Sequence, residues 1–236
     1  MTAEYNPATY DPNEFDRPSV TVDVVIFSLS LADHDLRVLL VRRNQAPHKN
    51  SWALPGGFVH IQESLDEAAA RQLNRKTGVD DVYLEQLYTF GAVDRDERTR
   101  VITITYFALV PLQSIETRDD EIGRTAWFSV YDLPDLAFDH SDIIQYAYQR
   151  LRYKLEYTTV GFALLPNQFT LTELQHAYQI ILQEKLDKRN FRRKILQAEI
   201  LEETGDMFRE GEGRPAKLYR YRDGATLEVK TRRLFP

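Results

Sequence analysis

The stretch Pro55-Gly56-Gly57 … Glu63 … Arg71-Gln72-Leu73-Asn74-Arg75-Lys76-Thr77-Gly78-Val79 constrains the fold more than any other part of this chain. Adjacent glycines mark a turn at which backbone can approach a phosphate closely. A helix is predicted over 64–77, stopping at Gly78, a residue type suited to a helix C-cap. Gln72, Arg75 and Lys76 are spaced i, i+3, i+4 and so share one face of that helix. The face carries a neutral amide and two cations. It repels a hard cation such as magnesium, and it tolerates or attracts a nucleotide diphosphate.

The same stretch resembles the Nudix box, G-x5-E-x7-R-E-U-x-E-E-x-G-U, where U is aliphatic. Gly57, Glu63, Arg71, Leu73, Gly78 and Val79 fall in register. The three glutamates that Nudix enzymes use to hold magnesium are replaced by Gln72, Arg75 and Lys76. Carboxylates there would form an oxygen-rich metal site, and the metal would neutralise the diphosphate and activate a water. Glu63 alone cannot build a two-metal cluster. The resemblance thus implies a diphosphate-binding frame without hydrolytic chemistry, so the chain is expected not to be an enzyme. The alternative is an active ADP-ribose pyrophosphatase, which would have to rebuild a metal site from Glu63 with Glu67 or Glu97.

At 236 residues the chain suits one large domain or two smaller ones. No apolar run approaches the length of a membrane span, and no basic stretch leads into an apolar N-terminal core, so no signal peptide is expected. The absence of cysteine excludes disulfides and zinc–thiolate sites and is compatible with the cytoplasm. Charge is uneven. Residues 1–150 carry 14 basic and 24 acidic side chains, whereas residues 151–236 carry 16 and 12. A basic C-terminal part on an acidic protein suggests a polyanion partner for that part, or simply a solvated charged surface.

Along the chain, residues 1–16 read as a loose arm. Strands are predicted over Val20–Leu29 and Leu36–Val41, with a turn at Asp33-His34-Asp35. A loop runs through Pro47 and Trp52 to Gly57. Residues 82–92 and 101–110 form further strands, the second with clear alternation, joined by a hairpin tip at Asp94–Arg98. Trp127–Ser129 is a short strand and 141–154 a helix. This mixed order is that of a Nudix α/β/α sandwich, an α/β (α+β) fold, assigned to residues 1–156.

Residues 157–236 read as a second unit, entered through a linker at Leu165–Phe169. Thr170-Leu171-Thr172-Glu173 is a capping box. The helix it opens puts Leu171, Leu174, Ala177, Tyr178, Ile181 and Leu182 on one side. After a turn at Leu186-Asp187, a second helix buries Phe191 and Ile195 and presents Arg189, Arg192 and Arg193 on another face. Residues 206–222 form a hairpin turning at Gly211–Gly213, with Arg214, Lys217, Arg220 and Arg222 on it. Helix, turn, basic helix and basic hairpin describe a winged helix-turn-helix, whose second helix would enter the major groove. The competing reading is a small helical cap with a charged rim.

With both halves read, the chain resembles the Nudix-related transcriptional regulators of NAD metabolism. Beyond the altered box, the resemblance rests on Leu136-Ala137-Phe138-Asp139-His140, Asp187-Lys188-Arg189-Asn190-Phe191-Arg192-Arg193-Lys194 and Gly213-Arg214-Pro215-Ala216-Lys217-Leu218-Tyr219. It implies a homodimeric repressor on a palindromic operator upstream of NAD synthesis or salvage genes. It also implies no cofactor, and ADP-ribose as an effector bound in the former catalytic cleft that favours a form fitting DNA poorly. For the effector, Gly56 and Gly57 would give room for the diphosphate, and Arg42 and Arg95 would pair with phosphate or ribose oxygens. Phe90 or Phe138 would stack on adenine, and His140 would hydrogen-bond a ribose. Each has a plainer alternative: core packing for Phe90 and Phe138, a solvated tip for Arg95, and helix capping beside Asp139 for His140. His60 is expected to be exposed and without a role. For DNA, the candidates are Thr170, Arg189, Asn190, Arg192, Arg193, Arg214 and Lys217.

Overall fold

The computed structural model describes residue 11 and residues 14–79, 82–111, 124–209 and 215–222. Its N-terminal part is a mixed sheet built on β1 (Ser19–Ser30), a β-branched run. β1 pairs antiparallel with β2 (Asp35–Arg42) and with β4 (Gly56–Phe58), and parallel with β6 (Val101–Leu109). β3 (Trp52–Ala53) and β7 (Thr125–Ser129) both add to β2, and β5 (Tyr83–Phe90) adds to β6 at the opposite edge. The short β3 and β4 lie where the sequence predicted only a loop, and Gly56 and Gly57, expected in a turn, pair instead with Asp23 and Val22 of β1.

Strand alternation sends successive side chains to opposite faces, and each face meets one helix. Val22, Val24 and Ile26 join Ala68, Ala69 and Leu73 of α1 (Leu65–Thr77). Val25, Phe27 and Leu29 join Ile143, Ile144, Ala147 and Leu151 of α2 (His140–Tyr157). The result is the α/β/α sandwich expected. α1 begins at a capping box, Ser64 with Glu67, and ends at Gly78 in the left-handed conformation (φ 72°). The Gly78 stop is the one expected from residue type, whereas the Ser64 box, which the sequence reading did not single out, starts the helix at Leu65.

After α2 comes a 3-10 turn (Val160–Leu164), then β8 (Phe169–Thr170), α3 (Leu171–Leu182), α4 (Lys188–Gln197), β9 (Leu201–Phe208) and β10 (Ala216–Tyr221). β10 lies between β8 and β9 in a small sheet. This is a winged helix, with the Thr170/Glu173 capping box in place. Two expectations need correcting. The first wing strand starts at Leu201, not near 206, because β9 pairs with β10 from Tyr221↔Leu201 onward. The stretch 165–169 is no free linker either, since Leu165 and Phe169 are buried. They belong to one apolar cluster running from the α2 face of the sheet through Leu174, Ile181 and Phe191. The expected turn at Gly211–Gly213 and the loose arm at 1–16, apart from Asp11 and Glu14–Asp16, fall outside the described residues.

Candidate functional site

A cleft of two adjoining lobes opens between β4 and the start of α2. The inner lobe holds about 210 Å³ and is lined by Asp23, Arg43, Gly56, Gly57, Arg98 and His140, among others. The outer lobe, about 630 Å³, carries Phe90, Asp94, Glu97 and Asp142. Arg95 and Phe138 border both. Ligand pockets usually hold roughly 300–1,000 Å³, so the outer lobe falls within that range and the inner one is too small to serve alone. The inner lobe is rich in guanidinium and the outer one in carboxylate and aromatic rings.

Gly56 is required by close approach rather than by backbone angle. A Cβ there would collide with Asp23 Oδ1 and sit 2.7 Å from Val22 O, whereas one on Gly57 would sit 2.7 Å from Gln72 Nε2. Asp23 accepts from Thr103 Oγ1 at 2.7 Å. His140 is buried, and Nδ1 accepts the N–H of Leu54 at 2.9 Å. That bond leaves the proton on Nε2, 3.8 Å from Asp23 Oδ1. Burial lowers the His140 pKa, so the ring is a neutral donor on the cleft wall. It does not cap α2.

Arg95 is not a solvated tip. Its side chain is 5% exposed and grips Asp139 through Nε (2.9 Å) and Nη2 (2.7 Å). Nη2 is also 3.8 Å from Asp23 Oδ2. Arg42 lies outside both lobes, exposed, with Nε 3.3 Å from Asn50 O. Alternation at the end of β2 gives the cleft side to Arg43 instead. Its Nε donates to Pro47 O at 2.9 Å, its guanidinium lies 4.9 Å from the Phe138 ring centroid, and burial lowers its pKa. The Arg42-Arg43 pair was visible in sequence, but its facing was not. Phe138 has a left-handed backbone (φ 55°) and meets His48 edge-on at 4.7 Å. Phe90 packs against Tyr88 and Tyr146 (5.3 and 5.9 Å).

The box helix does not offer magnesium a donor set. Gln72 and Lys76 are buried. The Arg71 guanidinium, 2.9 Å away, and the N–H of His60, 2.8 Å away, hold the Glu63 carboxyl down to about pKa 2. Glu67 is engaged by Ser64, and Glu97 lies in the outer lobe. Among the described residues no cluster of three or more His, Asp or Glu is arranged to hold a metal ion. His60 is exposed, as the sequence suggested.

On the winged unit, α4 buries Phe191 and Ile195 and leaves Arg189 and Arg193 exposed. Arg193 donates to Asn190 Oδ1 at 2.8 Å. Arg192 departs from the predicted face. It leans onto α3 and donates to Thr172 Oγ1 at 3.0 Å, because i+3 and i+4 residues project about 100° apart around a helix. Thr170 is buried, and its hydroxyl accepts the N–H of Glu173. Lys217 is paired with Glu203 at 2.8 Å, and Arg220 with Glu202. Thr172, Lys188, Arg192 and Lys217 converge on a groove between α3, α4 and the wing. Sequence reasoning did not single out Thr172 or Lys188. Arg214 lies outside the described residues.

Residues 19–147 match the profile of the NUDIX domain, and residues 161–221 match that of the NrtR DNA-binding winged helix domain. An ADPR-responsive transcriptional repressor, NtrR, of Acinetobacter baylyi is 40% identical over 91% of this chain and 86% of its own length. The chain belongs to the NrtR family. Shewanella oneidensis NrtR in complex with a 27mer DNA superposes with a TM-score of 0.78 at 37% identity, over 91% of this chain and 96% of that one. The NUDIX domain of the same NrtR in complex with ADP-ribose superposes with a TM-score of 0.54 at 39% identity, covering 61% of this chain and 95% of that one. Both units described above therefore have NrtR counterparts.

Proposed function

We propose that this chain is a homodimeric repressor of NAD synthesis or salvage genes. It holds a palindromic operator through its winged helix and lets go when ADP-ribose fills the Nudix cleft. The observation that carries this reading is the joining, in one packed molecule, of a two-lobed cleft lined by guanidinium groups and aromatic rings to an exposed arginine-bearing helix. The family relatives bound to DNA and to ADP-ribose support it. The division between the units falls at 156/157, the end of α2, and work on chromosomal DNA assigns the protein to the cytoplasm.

The diphosphate belongs in the inner lobe, beside Arg43, Arg98 and the Gly56-Gly57 pair of β4, with His140 Nε2–H donating to a ribose or phosphate oxygen. Adenine belongs in the outer lobe, between Phe90 and Phe138, where Asp94, Glu97 and Asp142 can accept from its exocyclic amine. Arg95 shapes the wall between the lobes, its charge shared by Asp139 and Asp23 until a bound anion competes for it. On DNA, Arg189, Asn190 and Arg193 face the groove, while Lys188, Arg192 and Thr172 line the path of a phosphate strand.

No hydrolysis is expected, because Gln72, Arg75 and Lys76 replace the metal carboxylates. The test selects duplexes from a randomised library with the full-length protein, then measures their release by ADP-ribose and any AMP formed with magnesium. Palindromic duplexes released by ADP-ribose, with negligible AMP, are expected. Magnesium-dependent AMP release abolished by Glu63→Gln would instead establish the pyrophosphatase. Selection of no duplex would end the repressor reading.

A further inference from the structure

Helix α3 is capped by more than its own residues. Its C-cap residue Gln183 adopts the left-handed conformation (φ 56°, ψ 35°), a place usually filled by glycine. The last carbonyls of an α-helix have no partner within the helix. Here three of them are taken by donors from the Nudix unit. The Tyr131 hydroxyl donates to Ile180 O at 2.6 Å, the Tyr148 hydroxyl to Ile181 O at 2.9 Å, and the Arg152 guanidinium to Leu182 O at 3.0 Å. The Gln183 amide also reaches Ile180 O, at 2.7 Å. The donors support one another: the two tyrosine rings meet edge-on at 5.7 Å, and Arg152 lies 5.8 Å from the Tyr148 ring centroid. A cation at a helix C-terminus is favourable. The first helix of the DNA-binding motif is therefore held at its end by α2 and the segment before it.

The other end of α2 lies in the cleft. Asp139 occupies the N-cap position, but its backbone (φ −92°, ψ 20°) is not extended and its side chain makes no capping bond. N-cap aspartates normally accept from the free N–H groups of the first turn, with an extended backbone. Both oxygens of Asp139 are instead committed to Arg95. The preceding Phe138, at φ 55°, sits in a region costly for a bulky side chain. Asp139 thus has two competing partners, Arg95, which it holds here, and the free N–H groups at the start of α2, which it does not. An anion entering the inner lobe competes for the Arg95 guanidinium and biases that choice.

We propose that α2 is the coupling rod of the molecule, set at the Phe138–Asp139 joint by the cleft and read out at Tyr131, Tyr148 and Arg152, which position α3 and with it α4. Tyr148 and Arg152 lie about 12 and 18 Å along the rod from His140, at about 1.5 Å of rise per residue. A packed helix moves as a body, so a change of cap at one end is felt at the other. The proposal rests on the repressor reading above.

The experiment uses the full-length protein, the duplex it selects, and two variants, Tyr148→Phe/Arg152→Gln and Tyr148→Phe alone. Duplex affinity is measured with and without saturating ADP-ribose, and ADP-ribose affinity by calorimetry without DNA. The parent ratio is expected within the range of about 5- to 150-fold typical of coupled sites, falling to below about threefold in the double variant. ADP-ribose affinity without DNA should stay within about twofold of the parent, because neither residue touches the cleft. A merely structural role would weaken duplex binding equally with and without ADP-ribose and leave the ratio intact. A double variant that keeps the parental ratio overturns the rod and leaves the repressor reading standing. A parent with no ratio to lose overturns both. If the double variant does not fold, Tyr148→Phe, which removes one hydroxyl, decides alone: an unchanged ratio overturns the proposal.

Discussion

At the scale of single residues, the charges that matter are mostly already spoken for. Glu63 is held by Arg71 and the His60 amide, which lower its pKa from 4.5 to about 2. A carboxylate depressed on folding contributes stability that is present above its unfolded pKa and is lost as pH falls through its folded one. Parent protein should therefore melt above Glu63→Gln at pH 7, and the gap should close between pH 4.5 and about 2 in melts at stepped pH. A constant gap would mean the carboxylate's charge is not what stabilises. Lys217 is similar, since Glu203 raises its pKa and shares its charge. Glu203→Gln should strengthen binding to all duplexes alike and steepen the salt dependence by about one unit. Titrations at two salt concentrations check this, and unchanged slopes would show that Lys217 does not meet phosphate.

At the scale of elements, α4 divides its arginines by direction. Arg193 stands out with Asn190, whereas Arg192 is tied to Thr172 of α3. Arg193→Ala should lower affinity for the selected duplex at least tenfold, which is about 1.4 kcal/mol, and leave melting almost unchanged, because exposed side chains contribute little to folding. Arg192→Ala should cost about 1 kcal/mol of stability through the lost hydrogen bond, seen as a lower melting temperature. Equal melting of the two variants would contradict the difference in geometry. α1 shows how far local chemistry alone carries an element: the Ser64 box starts it and Gly78 stops it.

At the scale of the whole molecule, the Nudix sheet and the winged helix share one apolar cluster. Ile143 and Leu151 of α2, Leu165 of the connection and Ile181 of α3 are all buried in it. The core on the α2 side of the sheet is thus continuous with that of the winged helix. Calorimetry of the full-length protein should show a single cooperative transition, with van't Hoff and calorimetric enthalpies equal. Two resolved transitions would mean that the shared cluster does not couple the units.

The helix starts at Thr170 and Asp187, the helix stop at Gly78, the β1 and β6 strands and the loss of carboxylates at 72, 75 and 76 were all legible in the chain. Each depends on residue type and near-neighbour spacing, and capping, alternation and steric freedom act within a few residues. The facing of Arg43 rather than Arg42, the burial of Arg95 against Asp139, the bend of Arg192 onto Thr172 and the pairing of Lys217 with Glu203 were not legible. Each depends on a partner or a strand phase that the chain supplies only once distant segments pack. Asp139 lies 44 residues from Arg95, and Arg152 lies 30 from Leu182. Sequence determined which groups the protein has and which helices carry them. Tertiary structure decided which charges remain available to a ligand, because desolvation and partner distance act between surfaces.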